Sequence, residues 1–222
     1  MTEAVTSPGP SSLRPRLRGR IHQVAFIVSI PAGMLLVALG RTPAARASTA
    51  VYAIALAAML GTSASYHRYP WSVPALGRMQ RLDHSMIFVL IAGTYTPFSV
   101  LALHGALQAA ILSLVWTGAA IGIALKHLPL PGLRAVTGTL YVTLGWLAIV
   151  AMPQFVGGVP LAATILLLAG GILYTAGAIV LLRRRPDPSP AVFGYHEIWH
   201  VMVTSAALCH YAAILVLVLA AS

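Results

Sequence analysis

The chain has 222 residues, 59% of them hydrophobic and only 8% charged, with a mean hydropathy of +0.86. A soluble domain carries about 25% charged residues, and a disordered chain needs low hydrophobicity, so both are excluded and an integral membrane protein remains. The net charge of +10 does not point to nucleic acid: the arginines sit between apolar runs, where they face anionic lipid headgroups, and no base-reading element accompanies them. A single cysteine, Cys209, excludes an internal disulfide and a cysteine-rich metal site.

In chain order, residues 1–20 are polar and rich in proline and arginine (Arg14, Arg16, Arg18, Arg20) and are expected to form a disordered basic tail. Seven apolar segments follow, at about 22–40, 48–67, 83–103, 107–125, 133–151, 159–182 and 198–220. Each is long enough to span a bilayer, which takes about 20 residues. The breaks carry turn chemistry or charge, as at Arg41-Thr42-Pro43, Arg68-Tyr69-Pro70 and Arg183 to Pro190. The basic tail, the first apolar run and Ala45-Arg46-Ala47 imitate a cleavable signal peptide. The run is long for that role and contains Pro31 and Gly33, so it is read as a span. No internal repeat is evident.

Lysine and arginine counts set the orientation. With the N-terminus inside, twelve of them fall in inside segments and two, Arg41 and Arg46, outside. The expected architecture is an all-α bundle of seven transmembrane helices over 21–222, N-terminus cytoplasmic and C-terminus extracytoplasmic.

Ionisable residues at the ends of spans are costly and are candidates for function. The alternation of spans carries His67, at the end of the second, to the inner face. It carries Asp83, at the start of the third, and His196 and His200, at the start of the seventh, to the same depth. His196 and His200 stand at i and i+4 and share a helix face, as do Ser63 and His67. Three imidazoles with an open fourth position are the usual catalytic zinc arrangement, in which zinc lowers the pKa of a bound water to about 7. His67, His196 and His200 are therefore the candidate metal ligands, with hydrogen-bonded packing as the alternative. Asp83 is either a fourth ligand or the base that orients the water. Ser63 either holds a substrate oxygen or stands behind the ligands.

Other candidates weigh less. Residues 196–200, His-Glu-Ile-Trp-His, match the metalloprotease helix formally, but no third ligand follows on that helix, and Glu197 is expected at the aqueous rim. His210 lies on the face of His196 but about 15 Å from His200 along the axis, so it lines a cavity or packs against a neighbour. His84 is expected to face headgroups, and His22, His104 and His127 to be interfacial or loop residues. Gly93, Gly118, Gly122, Gly138 and Gly145 are expected at close helix contacts, and Trp71, Trp116, Trp146 and Trp199 in belt or packing roles.

Three stretches carry a family likeness: Ser63-Ala-Ser-Tyr-His67; Arg81-Leu-Asp-His-Ser-Met-Ile-Phe with Ala92-Gly-Thr-Tyr-Thr-Pro97; and His196-Glu-Ile-Trp-His200 with His210. In this order, over about residues 20–220, they resemble the haemolysin III family, the bacterial branch of the progestin and adipoQ receptor superfamily. The resemblance implies a seven-helix bundle in the bacterial cell membrane. It implies zinc near the inner face on His67, His196 and His200, with Asp83 and Ser63 beside it. The superfamily includes ceramidase-like hydrolases, so the expected activity is metal-dependent hydrolysis of a lipid or amide bond, with membrane lipids as surroundings and a lipid-like substrate. Hormone-type sensing is not expected, since the receptors' extended N-terminal domain has no match here. The alternatives are a non-enzymatic sensor or regulator with structural zinc, a proton-coupled channel or transporter, and a haemolysin-type pore.

Overall fold

The computed structural model describes residues 15–128 and 132–221. Eight helices are present among the described residues: α1 (Arg20–Leu39), α2 (Pro43–Arg68), α3 (Val73–Ala102), α4 (Gly105–His127), α5 (Leu133–Trp146), α6 (Ala148–Gly158), α7 (Leu161–Arg183) and α8 (Tyr195–Ala220). They make seven apolar spans, because α5 and α6 together form the fifth. The chain is an all-α, multi-pass membrane protein. Residues 1–14 of the expected tail lie outside the described residues.

Two helices begin earlier than the apolar runs. α2 starts at Pro43, with the Thr42 side chain accepting from the Ala45 N–H at 3.1 Å. That satisfies one of the free donors of a helix start. α3 starts at Val73, with Pro74 in its first turn, and runs 30 residues. At 1.5 Å per residue it is about 45 Å long, enough to cross the headgroup layers as well as the hydrocarbon. Asp83 is therefore ten residues inside a helix, not at its start.

The fifth span breaks at Leu147 because another helix enters its hydrogen-bond ladder. The Tyr95 hydroxyl, from α3, accepts the Ala148 N–H at 2.7 Å and donates to the Gly145 carbonyl at 3.0 Å. Leu147 turns back to Leu144 in a tighter bond. A side chain inserted into the i to i−4 ladder is a recognised cause of a kink.

Successive helices pack side by side, and α1 meets α8 to close the ring. α8 also touches α2 and α3. The core gathers Tyr52, Phe88, Ile111, Val115, Phe155 and Ile214. Large apolar residues such as Ile27, Met34, Ile54, Leu182 and Leu208 stay exposed on the outside, as a lipid-facing surface requires.

Small residues set the spacing on both sides of α2. Gly33 of α1 faces the Ala53 methyl, and Gly93 of α3 faces that of Ala55, with no room for a side chain on either glycine. Gly118 and Gly122 likewise take Leu144 and Phe88. Gly138 and Gly145 do not make the expected close contacts: the space beside each is open.

Candidate metal centre

His67 ends α2, and His196 and His200 occupy the first two turns of α8. The three rings meet with centroids 4.7–5.0 Å apart, His67 and His196 edge to face and the other two pairs tilted. Their ligand nitrogens all lie within 4.8 Å of one another. His196 Nε2 and His67 Nε2 are 3.2 Å apart, close to the separation of about 3.4 Å between two nitrogens of a tetrahedral zinc site. His200 is buried, and His67 and His196 are half-buried. Convergent, partly accessible imidazoles are a donor set suited to a borderline-soft divalent ion. The i, i+4 spacing on α8 and the contact of α2 with α8 bring them together.

Ser63 lies one turn before His67 and is buried. Its Oγ is 2.9 Å from Nδ1 of His22. His22 is not interfacial: it is 2% exposed, and its ring lies flat on His200, with centroids 3.8 Å apart and planes at 5°. The alternation of spans does place the start of the first at the depth of His67, so a signal existed; hydropathy alone gives no helix rotation.

Glu197 does not sit at the rim. It is fully buried. One carboxylate oxygen accepts from the Gly194 N–H at 2.9 Å, holding the start of α8, and the other is ion-paired with Arg18. Residues 15–19 form a turn across this end of the bundle. Arg16 and Leu17 donate backbone N–H groups to Ala191 and Val192. Gly19, at φ 75°, lies against the His67 side chain, where a Cβ would come within 2.7 Å. Only glycine suits that left-handed backbone at that approach. The turn therefore covers the histidines, and the Arg18 charge is near enough to act on His196 and His200.

The remaining histidines are not in the ligand group. His84 is half-buried, and its carbonyl accepts from the Tyr141 hydroxyl at 2.7 Å. His104 and His127 are exposed. His210 contacts the Leu167 carbonyl and, with Ser99, lines a separate small cavity of about 50 Å³ between α3, α6 and α7.

The family model for haemolysin-III related proteins matches residues 11–211. The chain belongs to the haemolysin III family. Hemolysin-3 of Bacillus cereus is 34% identical over 203 residues, 89% of each chain. The Hemolysin-3 homolog of Bacillus subtilis strain 168 is 34% identical over 137 residues, 62% of each. The human monocyte to macrophage differentiation factor is 27% identical over 172 residues, 74% of this chain and 67% of its own. The family match spans every residue of the histidine cluster, together with His22, Ser63 and Asp83.

Proposed function

We propose that this haemolysin III family member is a zinc-dependent intramembrane hydrolase that cleaves a lipid ester or amide bond. The observation that carries the reading is the convergence of His67, His196 and His200, with the buried Ser63 one turn before His67. The three imidazoles would hold the ion, which supplies a Lewis acid and lowers the pKa of water to about 7. Asp83 would serve as the general base that takes the proton of the attacking water, and Ser63 would hold a substrate oxygen or stand behind the ligands. Lipid-facing walls on every side suit a substrate that arrives from the bilayer. The basic residues Arg68, Arg78, Arg81 and Arg183 to Arg185 are exposed around this end, which supports placing it, with the N-terminus, on the cytoplasmic side.

The test compares hydrolysis of ceramides and acyl lipids by the purified protein with that by Asp83→Asn. Asp83→Asn should keep its metal and lose at least about 100-fold in turnover, the upper end of general-base effects lying near 10⁴. Unchanged turnover would remove Asp83 from the chemistry.

The printed names of the two Bacillus relatives, Hemolysin-3 and its homolog, favour a second reading: membrane lysis by a pore. It predicts leakage of lipid vesicles by added protein, equal in the wild type and in Asp83→Asn and without turnover of any lipid.

A further inference from the structure

The segment before α1 is fastened by polar contacts alone. Arg16 and Leu17 donate their backbone N–H groups to the Ala191 and Val192 carbonyls at 3.1 and 3.2 Å, and the Arg18 guanidinium pairs with Glu197. Within the segment, the Arg18 N–H bonds the Pro15 carbonyl and the Arg20 N–H that of Leu17, so it holds its shape as a turn. Arg16, Leu17 and Arg20 are exposed. Little apolar burial therefore fixes the turn to the bundle, and an element held by bonds at the water's edge opens far more easily than a core element.

Each fastening point lies beside the histidines. Ala191 and Val192 belong to the loop that leads into α8. That loop has bonds of its own: Ser189 bridges Phe193, and Asp187 accepts the Tyr195 N–H at 3.0 Å. It stays with α8 when the turn leaves. Glu197 follows His196 in the chain and is fully buried with the turn in place. Once the turn lifts, water reaches Glu197, so its carboxylate exchanges a guanidinium for solvent and is not stranded as a buried, unpaired charge. Gly19, at φ 75°, joins the turn to α1 and lies on the His67 side chain. A glycine at such a join absorbs the change in backbone angles that a swing of the turn requires.

We infer that residues 15–19 form a hinged strap over the metal centre, latched by Arg18 on Glu197 and hinged at Gly19, which closes the aqueous route to His67 and His196 and opens to pass the ion. The inference rests on the reading of the histidine cluster as a metal site. A latch has its own kinetic signature: releasing it speeds entry and exit of the ion together and leaves Kd unchanged. The Arg18 charge by itself acts the other way on exit. A cation beside the site repels a metal ion, so deleting that charge alone would hold the ion longer.

The experiment uses the full chain in detergent with cobalt(II) alone, and follows its visible ligand-field spectrum during uptake and during loss to a chelator. Arg18→Ala should take up and release cobalt at least about 10-fold faster, with the spectrum unchanged and Kd no weaker. Arg18→Lys keeps the charge and should fall between Arg18→Ala and wild type. Leu17→Pro deletes the N–H that reaches Val192 and disfavours the turn, while leaving every charge in place. It should speed both directions by the same factor, and it carries the comparison should Arg18→Ala not fold.

Release that is unchanged or slowed in either variant would overturn the inference. So would faster release without faster uptake, which would mean that the turn shapes the ligands and does not gate them. Both results leave the metal site standing. Folded wild-type protein that takes up no cobalt would overturn the metal reading itself, and the inference with it.

Discussion

A buried carboxylate needs a partner, and Glu197 finds two: the Gly194 N–H and the Arg18 guanidinium. Removing one member of such a pair leaves an uncompensated charge, at about 3–5 kcal/mol for a fully buried pair. Arg18 is 23% exposed on its side chain, so Arg18→Ala should cost less, about 2–3 kcal/mol, read as a lower thermal midpoint in detergent. Adding Glu197→Gln should restore part of the loss, since the amide oxygen still serves Gly194. Wild-type stability in Arg18→Ala would mean the pair does not hold the turn over the histidines. This pair was not legible in the sequence: its members are 179 residues apart, and no spacing rule joins them. The histidine pair on α8 was legible, because i, i+4 spacing fixes a shared face whatever the packing. His22 falls between these cases. Its depth followed from span alternation, but its contact with Ser63 depends on the rotation of α1, which a weakly amphipathic helix does not encode.

Among the helices, α2 is the spacer. Its Ala53 and Ala55 admit glycines from either side, and small residues at such crossings let backbones approach. Gly93→Val should push α3 away from α2. Metal release should quicken and stability fall by about 1–3 kcal/mol, the usual cost of overpacking. The same substitution at Gly138, which has open space around it, should do neither. The fifth span is the element whose form was not predicted. Its apolar run reads as one helix, and the break at Leu147 comes from the Tyr95 hydroxyl of another element. Tyr95→Phe would strip the Ala148 N–H of its partner, at about 1–3 kcal/mol. An unchanged midpoint would show that the span breaks for another reason.

At the scale of the whole molecule, the seven spans and their order followed from hydropathy and turn residues, because a bilayer demands about 20 apolar residues per crossing. The meeting of His67, His196 and His200 followed from counting crossings. The early starts of α2 and α3 did not, since hydropathy marks the hydrocarbon and not the helix. Fusion of a topology reporter after residue 221 should report the extracytoplasmic side, and one before residue 15 the cytoplasm. The opposite result would move the histidine cluster to the other face.

The central claim is that the three histidines hold a metal, and elemental analysis of the detergent-purified protein tests it most directly. About one zinc per chain is expected, lost in both His67→Ala and His196→Ala but kept in Asp83→Asn. Folded wild-type protein that holds no metal, and takes none up when zinc is supplied, would contradict the account and leave the cluster as polar packing.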